Sequence, residues 1–177
     1  MAMLRTDSLP KLVILEDEEE RREAMVAEVG DLSQIEFFGN VSDFETYVRA
    51  NHADIFAISL DHDLRLPKVR GKDPTPEERR QNEAFGNGVQ ACEKLVDIYG
   101  DSKLPYLIIH TNNPSKRFKM LSILGVNVPG ELTVEPGQSS DGRIAVTVVS
   151  PYGSNAAWIS KIWGPAIRSL FTPSNDD

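Results

Sequence analysis

The sequence predicts an α/β fold with three layers, in which helices cover both faces of a doubly wound, five-stranded, mostly parallel sheet. Short apolar runs alternate with segments of helical periodicity in the order β-α-β-α-β over residues 11–60. The runs are apolar at consecutive positions, which is typical of strands buried on both faces of a parallel sheet. Strands that alternate with helices in this way are joined by right-handed crossovers.

Each strand is predicted from an apolar run bounded by charged or turn-forming residues. The pattern changes after residue 125, where a turn at 137–142 separates two apolar segments and predicts an added hairpin before the last strand. The predicted core strands cover residues 12–15, 35–38, 55–60, 106–109 and 143–149, and the first arm of the hairpin covers 131–135.

The helices are predicted from apolar periodicity and from capping residues. Ser42 with Glu45 three residues later is a capping-box pattern, and Thr75 with Glu78 is another. The predicted helices cover residues 18–29, 42–50, 75–82, 86–99, 115–124 and 155–170.

Composition restricts the possible function classes. The chain has 27 acidic and 19 basic residues and a net charge of −8, which argues against duplex DNA binding and a polybasic membrane anchor. A single cysteine, Cys92, excludes a disulfide framework and is predicted to lie in the core. The sequence shows neither a signal peptide nor a membrane span, so we expect a cytoplasmic protein. We expect one domain over 11–171, with flexible ends at 1–10 and 172–177.

Polar residues collect where the predicted strands end, at 16–17, 61–63, 110–113 and 150–152. In an open α/β sheet, ligands bind at the carboxyl ends of the strands. Carboxylates held close together repel one another unless a cation neutralises them, and hard oxygen ligands suit Mg²⁺ or Mn²⁺. The expected ligands of such a divalent metal are Glu16, Asp17, Asp61 and Asp63.

Several of these residues also have a simpler interpretation. Glu16 and Asp63 could cap the turns that follow them or pair with Arg21. His62 and His110 are candidates for general acid–base chemistry because imidazole titrates near neutral pH, but a histidine taken alone is more often a hydrogen-bonded structural group. His110 is the stronger candidate because it interrupts an apolar strand at its carboxyl end.

The start of the helix after Asn113 is a candidate phosphate site. Free backbone N–H groups near Ser115, together with the cations Lys116, Arg117 and Lys119, favour an anion there. A solvated charged helix face is an equally good interpretation. Trp158 and Trp163 are interpreted as core residues.

These motifs resemble those of response-regulator receiver domains. Residues 15–17 followed by Arg21 are similar to the acidic opening of a receiver, and Asp61 ends the third strand, where a receiver carries its phosphoacceptor aspartate. Thr111 stands at the receiver's Thr/Ser position. Residues 150–152 resemble its Lys-Pro-aromatic turn, with a serine in place of the lysine. The resemblance implies a receiver/flavodoxin-like fold.

A divergent branch, the cyclic-phosphate processing receiver-like domains, is more similar still. The shared motifs are Leu-Asp-His-Asp-Leu at 60–64, Gly88 and His-Thr-Asn-Asn-Pro at 110–114. This resemblance implies a metal-assisted phosphoesterase, a hydrolase acting on the cyclic phosphate of a nucleotide or an RNA end. Glu16 departs from the branch, which usually has Asp there. The implied catalytic residues are Asp61, His62 and His110, and the implied phosphate-binding residues are Arg21, Thr111, Asn112 and Ser115.

Two alternatives to the enzyme remain at this stage. One is a single-domain receiver-like signalling module phosphorylated on Asp61, against which the serine at position 150 argues, because a receiver normally uses a lysine there to contact the phosphoryl group. The other is a non-catalytic sensor of a cyclic nucleotide. The sequence does not indicate a protein partner.

Overall fold

The computed structural model describes residues 9–64, 73, 75–128, 134–151 and 156–171. The expected flexible ends at 1–10 and 172–177 lie largely or wholly outside these residues. So do most of the loop after residue 64 and the turn around Tyr152. The six strands are β1 (Lys11–Leu15), β2 (Gln34–Phe38), β3 (Ile55–Leu60), β4 (Tyr106–His110), β5 (Val134–Gln138) and β6 (Ala145–Val149).

The strands form one sheet in the order β2-β1-β3-β4-β6-β5. All neighbouring pairs are parallel except β5 and β6, which are antiparallel. The predicted fold class is confirmed, but the expected number of five strands is wrong. The first arm of the hairpin pairs with β6 from Val134↔Val149 to Gln138↔Ala145 and so becomes a sixth strand at the sheet edge. An edge position also accommodates Pro136, which has no N–H for a second neighbour.

In the part of the chain that the structure describes, six α-helices accompany the sheet. None of them is long and apolar enough to cross a membrane. Their bounds are α1 (Glu19–Val29), α2 (Val41–Asn51), α3 (Pro76–Phe85), α4 (Gly88–Tyr99), α5 (Pro114–Leu124) and α6 (Gly164–Phe171).

Capping explains where several helices begin. The box at Thr75 and Glu78 is confirmed, with Thr75 Oγ1 accepting from the Glu78 N–H. The predicted cap at Ser42 is wrong, because the side chain of Asn40 accepts the N–H of Asp43 and α2 begins before Ser42. An amide side chain two residues upstream satisfies the same free N–H groups.

The sequence pattern predicts one continuous C-terminal helix. In the structure, the hydrogen bonding changes from π-helical to α-helical along this segment. A π-helical turn at Ile159–Trp163 precedes α6. Such a turn holds an extra residue, which changes the direction in which the following side chains point. Trp158 and Trp163 both lie in the core, as predicted.

The alternation of side chains along the strands divides the core into two layers. Val13 and Leu15 point to the layer built by α2, α4 and α5, which also contains the buried Cys92. Leu12 and Ile14 point to the other layer, which is built by α1 and the C-terminal helical segment. Glu16 follows Ile14 in this alternation.

Gly88 sets the start of α4 directly against the end of β3. Its N–H donates to the carbonyl of His62 at 3.1 Å. A Cβ atom at position 88 would lie 2.5 Å from the carbonyl oxygen of Asp61 and 2.9 Å from the Cα of His62. Only glycine allows this approach, which fixes the backbone of residues 61 and 62.

Candidate metal centre

Parallel register brings Glu16, Asp61 and His110 to the same level of the sheet. Leu15 pairs with Leu60, and Leu60 pairs with Ile109. The three residues that follow them therefore lie beside one another at the carboxyl ends of β1, β3 and β4. The Asp61 N–H still donates to the Leu15 carbonyl at 3.0 Å, so the pairing continues past the end of β3.

All three side chains are buried, with exposed fractions of 0% for Glu16, 5% for Asp61 and 1% for His110. Each offers one ligand atom, and these three atoms lie within 4.8 Å of one another. Two carboxylates and an imidazole at this spacing form a group that could hold a metal ion.

The two oxygens of Glu16 have different surroundings. Oε1 accepts the backbone N–H groups of Asp17 at 3.1 Å and Glu18 at 3.0 Å. Oε2 faces His110 Nε2 at 3.4 Å and Arg21 Nη1 at 3.6 Å. One half of the carboxylate therefore caps the turn before α1, as the simpler interpretation of Glu16 expects, while the other half faces the pocket.

The Asp61 carboxylate is held in a similar way. Oδ1 accepts the N–H of His62 at 2.6 Å and that of Asp63 at 3.4 Å. Oδ2 lies 3.4 Å from Arg21 Nη1. The backbone fixes one oxygen and leaves the other for the pocket.

His110 is oriented by residues that the sequence patterns did not indicate. Its Nδ1 is 2.9 Å from the hydroxyl of Ser59, and Trp163 Nε1 donates to that same hydroxyl at 3.0 Å. The indole of Trp158 stacks on the imidazole with 5.6 Å between ring centroids. These contacts fix the ring plane and direct Nε2 towards Glu16.

Arg21 is shared among three carboxylates and sits above the indole of Trp158, 5.9 Å from its centroid. Its guanidinium lies 3.6 Å from Glu16, 3.2 Å from Glu18 and 3.4 Å from Asp61. Burial opposes the charged guanidinium, but these carboxylates together raise the pKa of Arg21 above its ordinary value.

The surroundings shift the pKa values of the two buried acids in opposite directions. Burial opposes ionisation of Glu16, but His110, Arg21 and the Glu18 N–H outweigh it and lower the pKa of Glu16. Burial and the nearby Glu16 charge raise the pKa of Asp61 well above its usual range. A second negative charge at Asp61 is therefore unfavourable beside Glu16, and an added cation would stabilise both carboxylates in their ionised form.

Two of the four expected metal ligands do not join this group. Asp17 and Asp63 are half-buried neighbours of Glu16 and Asp61, and the cluster forms with His110 instead. The imidazole of His62 is buried and its Nδ1 lies 2.9 Å from Asp63 Oδ1. Metal ligation by Asp17 or Asp63, and proton transfer by His62, stay predictions.

The residues expected to bind phosphate near α5 organise the start of that helix. Thr111 Oγ1 accepts the N–H of Asn113 at 3.2 Å, and the exposed hydroxyl of Ser115 donates to Asn113 Oδ1 at 2.9 Å. Asn113 Oδ1 also accepts the Lys116 N–H, so it is the helix cap. Asn112 is exposed. Phosphate binding by Thr111, Asn112 and Ser115 stays a prediction.

A cation lies next to the serine that replaces the receiver's lysine. Arg117, on α5, donates from Nη1 to the hydroxyl of Ser150. Ser150 directly follows β6, whose last residue, Val149, pairs with His110. The two side chains are half-buried, and the guanidinium therefore reaches this edge of the sheet from a neighbouring helix.

Comparison with known proteins identifies the fold. No family model and no curated protein matches the sequence. The BeF3-activated DrrB receiver domain is similar in structure, with a TM-score of 0.50, 10% identity and coverage of 92% of this chain and 97% of that one. The chain has a receiver-like fold. The non-phosphorylated HemR receiver domain from Leptospira biflexa gives a TM-score of 0.52 at 16% identity and covers 95% of this chain and 98% of its own.

This comparison corrects the functional expectation. The predicted cyclic-phosphate phosphoesterase is wrong, because the two solved structures compared above, which share the fold, are receiver domains. Membership of the cyclic-phosphate processing branch, which the motifs at 60–64 and 110–114 suggested, stays a prediction.

The raised pKa of Asp61 gives a prediction for the metal-free, receiver-like chain. A carboxyl whose folded-state pKa is raised favours the folded state below its unfolded value and loses that advantage as pH rises through the folded value. We expect Asp61→Asn to raise the melting temperature at neutral pH in the presence of a chelator. The gain should vanish below about pH 4, where the aspartate is protonated in both states.

Thermal unfolding followed by circular dichroism across pH tests this. A gain of about 1 kcal/mol corresponds to about 2–4 °C in a domain of this size. Asp54→Asn, which removes an exposed carboxylate, should change stability by less than about 0.5 kcal/mol at any pH. A lower melting temperature for Asp61→Asn at neutral pH would contradict the unfavourable charge inferred at Asp61.

Proposed function

We propose that this chain is a receiver-like signalling module in which Asp61 accepts a phosphoryl group from a phosphodonor. The observation that carries the proposal is the position of Asp61. It follows the central strand β3, at the ligand-binding edge of a receiver-like sheet, between Glu16 and Arg21. The two structural neighbours are named as a BeF3-activated and a non-phosphorylated receiver domain, which supports a phosphorylation-dependent role.

The chemistry requires the pocket to accept more negative charge. An oxygen of Asp61 attacks phosphorus, a new P–O bond forms, and the bond from phosphorus to the donor's leaving group breaks. The leaving group departs with the electron pair of that bond. A divalent cation, Mg²⁺ or Mn²⁺, held by Glu16 and Asp61 would neutralise the phosphoryl oxygens. Arg21 contacts both carboxylates, which orients them and reduces their mutual repulsion.

Arg117 supplies the charge that the missing lysine would otherwise provide. A receiver uses its lysine to contact the phosphoryl group, and here position 150 is a serine that accepts a hydrogen bond from Arg117. Because the guanidinium is always charged and has several donors, it can hold Ser150 and a phosphoryl oxygen at once. The serine is therefore compatible with the signalling proposal.

The simplest test is phosphorylation by acetyl phosphate in the presence of Mg²⁺ or Mn²⁺. We expect one phosphoryl group per chain by intact-mass spectrometry, in a form that hydroxylamine removes, as it removes acyl phosphates. Asp61→Asn should abolish labelling because it removes the nucleophile. Asp54→Asn, which removes an exposed carboxylate that belongs to no part of the pocket, should still be labelled. Failure of the folded wild-type protein to be labelled, or labelling that survives Asp61→Asn, would contradict the proposal.

A second test addresses Arg117. We expect Arg117→Gln to slow acetyl-phosphate labelling by about 100- to 1,000-fold, the typical effect of removing one donor to a charged transition state. Arg117→Lys should retain most of the rate because it keeps the charge. Lys116→Gln removes an exposed charge from the same helix and is the matched control. Equal rates for Arg117→Gln and Lys116→Gln would show that Arg117 only holds Ser150.

A further inference from the structure

Two buried polar atoms in the pocket have no hydrogen-bond partner among the residues that the structure describes. They are Oε2 of Glu16 and Nε2 of His110. Leaving such atoms unsatisfied costs about 1–3 kcal/mol each, and more for a charged group, so each requires an explanation. Both atoms face the same point, which Asp61 also borders.

The two atoms do not satisfy each other. Their separation is 3.4 Å, whereas a charge-assisted N–H···O bond is about 2.7–2.9 Å long. The separation instead suits two ligands of one metal ion. Metal–nitrogen and metal–oxygen bonds of about 2.1 Å, at angles between a right angle and a tetrahedral one, place the two ligand atoms about 3.0–3.4 Å apart.

Ser59 can hold His110 in the form that binds a metal. Trp163 can only donate, so its bond uses one lone pair of the Ser59 hydroxyl oxygen. The second lone pair can accept the Nδ1–H of His110, whose Nδ1 is 2.9 Å away. With the proton on Nδ1, Nε2 carries a lone pair directed into the pocket. Metal-binding histidines are held by the same kind of contact on their other nitrogen.

The pocket is built for a cation and not for an anion. Two carboxylates, Glu16 and Asp61, form it together with His110, and Arg21 is already shared among three acids. His62 is not an equivalent ligand, since its Nδ1 lies against Asp63 and the residue is outside the cluster.

We infer that His110 is a nitrogen ligand of the cation in this pocket, alongside Glu16 and Asp61, and that the site binds Mn²⁺ and later first-row transition metals more tightly than Mg²⁺. Imidazole is a good ligand for transition metals, whereas Mg²⁺ prefers oxygen ligands and water. The inference rests on the proposed function only in that the site holds a divalent cation. It does not depend on phosphorylation.

The test is the electron spin-echo modulation of bound Mn²⁺, which detects a directly coordinated nitrogen. We expect ¹⁴N modulation in the wild-type protein and its loss in His110→Gln. The matched control is His52→Gln, which alters an exposed histidine and should leave the signal unchanged. We also expect His110→Gln to weaken Mn²⁺ binding by at least about tenfold, with a smaller effect on Mg²⁺.

A second variant keeps the test decisive if His110→Gln fails to fold. The chain has three histidines, so the double variant His52→Gln/His62→Gln retains only His110. Persistent nitrogen modulation in this variant supports the inference, and its loss overturns it. Absence of Mn²⁺ binding, absence of modulation in the wild type, or equal affinity for Mn²⁺ and Mg²⁺ would each overturn it as well. Failure of acetyl-phosphate labelling with nitrogen modulation intact would overturn only the phosphorylation proposal.

Discussion

The site depends on one constraint, the parallel register that aligns the carboxyl ends of β1, β3 and β4. Because Leu15, Leu60 and Ile109 are paired, the residues that follow them lie side by side on one face of the sheet. Those residues are Glu16, Asp61 and His110, and all are buried. Two carboxylates in a medium of low polarity make a pocket that Arg21 only partly neutralises, so the fold itself creates the demand for a cation.

Both core layers hold this arrangement in place. On one side, the C-terminal helical segment contributes Trp163 to the Ser59 hydroxyl and Trp158 to the face of His110. At the end of β3, α4 approaches so closely through Gly88 that the backbone of Asp61 has no room to move. The pocket is therefore in direct contact with helices from both layers of the core.

Much of the fold and part of the site could be predicted from the sequence. The strands are apolar at consecutive positions, and polar residues follow their carboxyl ends. This pattern was enough to predict a mostly parallel sheet and the edge at which Glu16 and Asp61 meet. The sequence missed what depends on tertiary contacts. Ser59 and Trp163 are 104 positions apart, and no periodicity links them. The sequence predicted the hairpin but not that its first arm joins the main sheet as a sixth strand, and the choice of Asn40 over Ser42 as a cap was decided by competition between neighbouring side chains. Function could not be predicted in the same way, because the motifs at 60–64 and 110–114 name residue types and the fold alone does not determine their chemistry.

The central claim is that Glu16, Asp61 and His110 form one cation site. It is tested most directly by anomalous diffraction from crystals of the chain grown with Mn²⁺, with data collected on both sides of the manganese absorption edge. The account predicts an anomalous peak in contact with an oxygen of Glu16, an oxygen of Asp61 and Nε2 of His110. A well-occupied manganese elsewhere, or one at this edge of the sheet that His110 does not touch, would contradict it.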